Sequence, residues 1–236
     1  MKPILIIKTG STLPTLKKRK GDFEDWIIKG AGLPPSSFLV VDVEKGQTLP
    51  NDKDISSVII TGSHAMLTDH LAWSETAAQW LAAAVSLGIP TLGICYGHQL
   101  LAYALGGSVD YNPKGREYGM VELTLAPTAS ADPLLQILPA SPKLYVCHSQ
   151  TVTRLPEDAV LLAASARDSY QAFSYHSSAW GLQFHPEFDA DITRTYIQSS
   201  QEHLVEEGQD LQKLMVGCVD SPLGDLILRR FVEIAA

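Results

Sequence analysis

The segment Pro90-Thr91-Leu92-Gly93-Ile94-Cys95-Tyr96-Gly97-His98-Gln99, running on to Gly106 and Gly107, constrains the fold of this chain more than any other stretch. Its apolar opening, Pro90–Ile94, reads as a buried strand, the residues after Cys95 read as a helix, and the glycine pair 106–107 closes that helix. Glycines stand two residues before and two residues after Cys95. A tight strand-to-helix turn brings backbone together on both flanks, where glycine fits and a Cβ does not, so the pattern is that of a nucleophile elbow. Such a turn lifts the thiol to the carboxyl edge of an open α/β sheet, where these sheets place their ligands. It also sets Cys95 at a helix amino terminus, where free N–H groups and the macrodipole favour a thiolate. Without that context a free cysteine is commonly a small, inert hydrophobe.

The rest of the chain agrees with a sheet of this kind. Short apolar, β-branched runs at Pro3–Ile7, Phe38–Val43 and Ser57–Thr61 join Pro90–Ile94 as predicted parallel strands, with helical patterns between some of them. Ala72–Leu87 has helical spacing and ends at Gly88, a natural residue to follow a helix. After Gly107 shorter strands are predicted at Val121–Ala126, Leu144–Cys147, Val160–Ser165, Ala172–Tyr175 and Ala179–Phe184, an antiparallel or mixed portion. From Asp189 the chain reads as a helical tail, broken at Gly217, Pro222 and Gly224 before a last helix ending near Ile234. Gly30–Pro35 and Asn112–Gly115 read as loops. No repeat or linker divides the chain, so residues 1–236 are expected to form one α/β domain with a mostly parallel central sheet and helices on both faces.

Composition excludes several classes of function. A net charge of −8 would repel a phosphate backbone, so no nucleic-acid partner is expected, and the basic run Lys17–Lys20 reads as a solvated loop. The apolar stretch in MKPILIIKTG is too short for a signal sequence or a membrane span, which predicts a cytoplasmic protein without membrane association. Three cysteines, Cys95, Cys147 and Cys218, are widely spaced with no C-x-x-C, so reduced thiols are expected rather than disulfides or a cysteine zinc site.

A thiolate needs a proton shuttle, and Trp180-Gly181-Leu182-Gln183-Phe184-His185-Pro186-Glu187 supplies one at the end of a predicted strand. Two positions apart in extended chain, His185 and Glu187 point to the same side, so a carboxylate can orient one ring nitrogen while the other faces the thiol. Pro186 stiffens that geometry. The expected roles are Cys95 as nucleophile, His185 as general acid/base and Glu187 as orienter. A solvent-exposed strand-end histidine is the bland alternative. An H-x-E zinc site is another, but the P-C-x-x-C partner of a zinc deaminase is missing, and neither metal nor cofactor is expected. The turn Thr61-Gly62-Ser63, at the end of the Ser57–Thr61 strand, reaches the same sheet edge. A backbone N–H of Gly62 or Ser63, with that of Tyr96, would form an oxyanion hole.

With these segments together, the chain resembles the class I (triad) glutamine amidotransferases, and in particular stand-alone proteins similar to the amidotransferase domain of GMP synthetase. The resemblance is carried by GICYGHQLLAYALGG at 93–107, HPE at 185–187, ITGSHAMLTD at 60–69 and NPKGREYG at 112–119. It implies a flavodoxin-like three-layer fold, a γ-glutamyl thioester on Cys95 and release of ammonia from glutamine. It further implies that Gln99 contacts bound glutamine and that His148-Ser149-Gln150 holds the substrate's α-amino and α-carboxylate groups through its backbone. Glu117 has a counterpart in relatives, for which a structural hydrogen-bonding role is expected. Two departures bear on the substrate: Ser149 and Gln150 where relatives often have H-G-D, and Thr61-Gly62-Ser63-His64 where G-G-P is frequent.

The expected activity is therefore hydrolysis of the glutamine γ-amide to glutamate and ammonia. No ATP-binding glycine motif is visible, so an ammonia-consuming synthetase would be a separate subunit. The alternative is a stand-alone γ-glutamyl hydrolase or peptidase acting on γ-glutamyl amines or peptides through the same triad. A non-catalytic binding protein on this fold is a third reading, against which the complete triad argues.

Overall fold

The computed structural model describes residues 2–236. Short β-branched runs form the strands β1 (Ile4–Lys8), β2 (Phe38–Asp42), β3 (Ser57–Ile60) and β4 (Thr91–Ile94), and β1, β3 and β4 are buried along their whole length. Burial on both faces is what a parallel strand covered by helices requires. Later segments add β7 (Thr124–Leu125), β10 (Ala159–Ala164), β11 (Ala172–Tyr175) and β12 (Ala179–Leu182). The eight strands lie in the order β2-β1-β3-β4-β12-β11-β10-β7. From β2 to β12 they pair in parallel, and from β12 to β7 antiparallel. The mixed portion expected after Gly107 is thus an extension of the same sheet.

Alternation along the strands sorts the core into two layers. Ile4, Ile6, Ile59, Leu92 and Leu182 point to one face, where they meet Ile27 of α2 (Phe23–Ala31) and Ile227, Leu228 and Phe231 of α8 (Leu223–Ile234). Leu5, Ile7, Val58 and Ile60 point to the other, against Ala77 and Leu81 of α3 (Ala72–Ser86) and Leu100 of α4 (Tyr96–Ala104). Gly88 follows α3 with φ of 74°, the left-handed conformation expected of it.

Two small antiparallel ribbons sit beside the main sheet, β5 (Ser108–Tyr111) with β9 (Gln150–Arg154), and β6 (Glu117–Glu122) with β8 (Lys143–His148). Neither β5 nor β9 follows from hydrophobic periodicity. The predicted strand Val121–Ala126 is in fact two, because the chain leaves the β6–β8 ribbon at Leu123 and joins the main sheet as β7. The tail contains α5 (Ala190–Ser199), α6 (Gln201–Glu206) and α7 (Leu211–Gly217) before α8.

Three loop or break expectations need correction. The basic run is not a solvated loop but lies in α1 (Pro14–Lys20), where Lys20 pairs with Asp189 at 2.7 Å and Asp191 at 2.9 Å and Lys17 with Asp22 at 2.9 Å. Gly30 belongs to α2, where it faces α8: a Cβ there would lie 2.6 Å from the Leu228 Cδ1 methyl, which would have to shift. Gly224 lies inside α8 rather than in the break before it, because the helix is seated on the peptide carbonyl of Pro186. Among the described residues no helix is long and apolar enough to cross a membrane.

A Cβ at position 224 would overlap the Pro186 carbonyl outright, and backbone has little freedom to yield. Gly224→Ala is therefore expected to destabilise the protein by about 1–3 kcal/mol, the usual cost of overpacking, despite alanine's better helix propensity. A urea-unfolding midpoint equal to or above that of the parent would contradict this close seating.

Candidate active site

The elbow read from the sequence is present and tight. Cys95 stands between β4 and α4 with φ 52° and ψ −101°. A side-chain-bearing residue pays for such a backbone with about 1–3 kcal/mol of strain, which the surroundings must hold in place. They do so through three contacts: Cys95 N–H donates to Leu182 O at 2.8 Å, Gly97 N–H to Thr61 O at 3.2 Å and Gln99 N–H to Cys95 O at 3.1 Å. A Cβ on Gly93 would lie 2.8 Å from His98 N, and one on Gly97 2.5 Å from Ile60 O, so both flanks exclude a side chain. The thiol lies 3.7 Å from the carbonyl oxygen of Cys147.

His185 and Glu187 follow β12, the parallel neighbour of β4. His185 N–H donates to Tyr145 O at 2.7 Å, which ties the segment to β8. Its Nδ1 is 2.7 Å from Glu187 Oε1, leaving Nε2 for the thiol. The ring stacks on Phe188, centroids 3.8 Å apart, and Phe188 stacks in turn on Tyr196 at 5.3 Å. Burial alone would push the His185 pKa down, but the Glu187 carboxylate and the Cys95 sulfur beside it prevail and push it up to about 10. His98, though close in sequence, is a poor proton acceptor: it is fully buried against Phe173, and burial pushes its pKa down to about 3.

Beside the thiol is a cleft of about 250 Å³. Ser63, Tyr96, Gln99, His148, Ser149 and Gln150 all line it together with Cys95. Gly62 lies against the imidazole, since a Cβ there would be 3.1 Å from His185 Cε1. Its turn is pinned by Thr9 Oγ1, which donates to the carbonyls of Thr61 or Gly62 at 3.0 and 3.1 Å. The Tyr96 side chain points into the opposite layer, its hydroxyl 2.7 Å from Ser74 Oγ, so toward the cleft Tyr96 offers backbone.

Several side chains at the other end of the cleft are already engaged. Gln99 Nε2 donates to Gln150 O at 2.9 Å and Gln183 Oε1 at 3.0 Å, which leaves its carbonyl oxygen for a ligand. His148 Nδ1 is 2.9 Å from Gln150 O, and its Nε2 is 3.2 Å from Glu117 Oε2. Gln150 Oε1 accepts from Leu67 N–H at 2.9 Å while its Nε2 donates to Thr68 Oγ1 at 2.6 Å. The side chains of residues 148 and 150 are thus taken up, as is the Gln150 carbonyl, and Ser149 alone of the three has a free side chain. Glu117 also accepts from Gln171 Nε2 and Ser165 Oγ, both at 2.7 Å; burial pushes its pKa up, but His148 and Ser165 hold it below the usual carboxylate value. Burial pushes the Cys147 thiol up to about 12 and raises Cys218 as well, so neither is a ready nucleophile. Among the described residues no cluster of three His, Cys, Asp or Glu could hold a metal.

The sequence reading misses Phe188, Tyr196, Tyr118 and Leu13 as parts of this site, while His64 enters it as part of the Thr61-Gly62-Ser63-His64 departure. Phe188 could have been found, lying three residues past His185 in HPEF; the others come from distant segments and carry no local signal.

A histidine whose pKa rises from 6.5 to about 10 on folding holds a proton that the unfolded chain has lost between those values. Its stabilisation is therefore complete below about pH 6.5 and lost as pH rises through about 10. Urea midpoints are expected to fall between about pH 7 and pH 10, with a shallower fall for His185→Gln. Equal slopes for the two proteins would contradict the assignment.

Comparisons with known proteins agree on a family. Residues 37–201 match the family model for glutamine amidotransferase class-I. Gamma-glutamyl peptidase 4 of Arabidopsis thaliana is 32% identical over 161 residues, covering 66% of this chain and 62% of that protein. A glutamine-hydrolyzing GMP synthase of Phocaeicola vulgatus is 32% identical over 139 residues, covering 58% of this chain but 25% of the relative. The chain thus spans less than two thirds of the length of either curated relative. Among solved structures, a glutamine amidotransferase from Thermotoga maritima superposes with a TM-score of 0.78 over 100% of this chain and 98% of the other, at 22% identity. A glutamine amidotransferase from Methylobacillus flagellatus gives the same score at 24% identity, covering 99% and 95%. At these identities the likeness concerns the fold.

Proposed function

The chain belongs to the class I glutamine amidotransferase family, and from that premise we propose that it transfers the γ-glutamyl group of glutamine to water through a thioester on Cys95. The observation that carries this reading is the 2.7 Å His185–Glu187 contact held on the strand next to the one that ends in the Cys95 elbow. The Cys95 sulfur attacks the γ-carbonyl carbon. Backbone N–H groups of Tyr96 and of the Gly62–Ser63 turn take up the oxyanion. His185, charged at neutral pH, gives its proton to the amide nitrogen, which leaves as ammonia. It then accepts a proton from the water that attacks the thioester, and glutamate departs with the thiolate restored. Glu187 keeps the ring in the required tautomer and balances the imidazolium.

Gln99, through its carbonyl oxygen, is assigned to the substrate's ammonium group. Ser149 and the backbone of residues 148–150 are assigned to the α-amino and α-carboxylate ends. The GMP synthase relative is named as glutamine-hydrolyzing and is about four times longer than the region matched. In the reading proposed here, an ammonia-consuming synthetase activity lies outside residues 1–236.

Purified protein is expected to release glutamate from glutamine, and Cys95→Ser to lower kcat by at least about 10³-fold. A glutamine-analogue diazoketone should add once per chain at Cys95 and leave the serine variant unlabelled by mass spectrometry. Failure to hydrolyse glutamine or any other γ-glutamyl amide, with no labelling, would sink the proposal. A second measurement concerns Glu187. Its carboxylate raises the His185 pKa, so in Glu187→Gln the alkaline fall of kcat/KM should move below its parent position near 10, with kcat reduced on the order of 10²-fold. An unmoved alkaline limb would remove Glu187 from the triad.

A further inference from the structure

The imidazole fixes which way a leaving group must depart. His185 has to deliver its proton to the nitrogen that leaves, so that nitrogen and anything attached to it lie on the imidazole side of the thiol, while the glutamyl chain runs toward Gln99 and Ser149. On that side the cleft is lined not by His185 itself but by residues the turn beside its ring leads to. The chain passes the ring at Gly62 and turns outward to His64, whose Nε2 is 3.1 Å from Tyr196 Oη and whose ring centroid is 5.6 Å from that of Tyr196. Tyr196 belongs to the stack that starts at His185 and passes through Phe188. Beyond it the cleft is walled by half-buried Leu13 and Tyr118 and by Ser200, whose Oγ donates to Tyr118 Oη at 3.2 Å.

This wall combines aromatic rings, an aliphatic side chain and hydroxyls. Among the described residues that line the cleft there is no Lys, Arg, Asp or Glu. Ammonia needs no such wall. A leaving group bearing a carboxylate would find no cation there and would lose hydration without a partner. An uncharged body on the amine would gain by burial against Tyr118, Tyr196 and Leu13.

We propose that this half of the cleft is a subsite for the amine portion of an N-substituted γ-glutamyl amide, and that the preferred substrate carries an uncharged alkyl or aromatic amine rather than ammonia or an amino acid. The proposal rests on the γ-glutamyl chemistry assigned above and replaces ammonia with a substituted amine as the preferred leaving group. The S–C bond to Cys95 forms as the C–N bond breaks, His185 passes its proton to that nitrogen, and the free amine leaves before water hydrolyses the thioester. His64 is then a specificity-determining residue, its ring set against Tyr196 at the cleft wall.

The test compares initial rates of glutamate release by the purified protein from L-glutamine, γ-L-glutamylethylamide, γ-L-glutamylbenzylamide and γ-L-glutamylglycine. The benzylamide is expected to exceed both glutamine and γ-glutamylglycine in kcat/KM by about tenfold or more, within what a modest apolar pocket can discriminate. Glutamine equal to or better than the two neutral amides would overturn the subsite while leaving the thioester chemistry intact. γ-Glutamylglycine as the best substrate would overturn it in favour of a peptide leaving group. No turnover of any of the four would count against the γ-glutamyl reading itself. Ser199 lines the cleft at its exposed rim, so Ser199→Phe, which fills that rim, and His64→Ala are each expected to lower the benzylamide-to-glutamine ratio of kcat/KM by about fivefold or more. A ratio unchanged in both variants would overturn the assignment of the wall.

Discussion

Gly93 and Gly97 lie so close across the Cys95 turn that a methyl group on Gly93 would enter the backbone of Gly97 and His98, and one on Gly97 that of Ile60. That approach draws the ends of β3 and β4 and the start of α4 onto one point. It leaves Cys95 no backbone conformation except a strained one, and it places the free N–H groups of the first helical turn beside the sulfur. The rest of the site is arranged around this point. Leu182 O receives the Cys95 N–H, so β12 ends where its continuation must carry His185 past the thiol.

The second determinant is a set of buried polar groups with few options left. Glu117 holds His148, His148 and Gln99 share the carbonyl of Gln150, and the Gln150 side chain reaches back to Leu67 and Thr68. A buried network of this sort rigidifies the loop it serves because each unpaired member would be costly. The Gln99 end of the cleft is therefore preorganised by buried hydrogen bonds, whereas the other end is walled by Tyr196, held in the His185–Phe188–Tyr196 stack and met edge-on by His64.

How much of this was legible beforehand depended on the range of the forces involved. The four leading strands, the helix at 72–86 and the elbow follow from local pattern, because burial on both sheet faces and glycine's freedom are written into neighbouring residues. The flavodoxin-like fold implied by the family resemblance is the fold observed. β5 escaped because Ser108–Tyr111 is half exposed and paired with a ribbon strand some forty residues later, so it carries neither alternation nor a hydrophobic run. Gly30 reads as part of a loop and Gly224 as a break because the partners that crowd them, Leu228 and the Pro186 carbonyl, lie far away in sequence. His185 and Glu187 were legible through their spacing. Tyr196, Tyr118 and Leu13 were not, since only folding brings them to the cleft.

The pairing of β4 with β12 has a consequence for how the molecule is made. Thiol and imidazole are ninety residues apart, at 95 and 185, and the strands between them in sequence fill the far half of the sheet and the side ribbons. Such a distant parallel contact closes late, after the entropy of a long loop has been met. A chain emerging from the ribosome thus has Gly93–Gly97 in hand well before the strand whose Leu182 carbonyl holds the Cys95 N–H, and the elbow is held by all three of its contacts only once β12 has paired with β4.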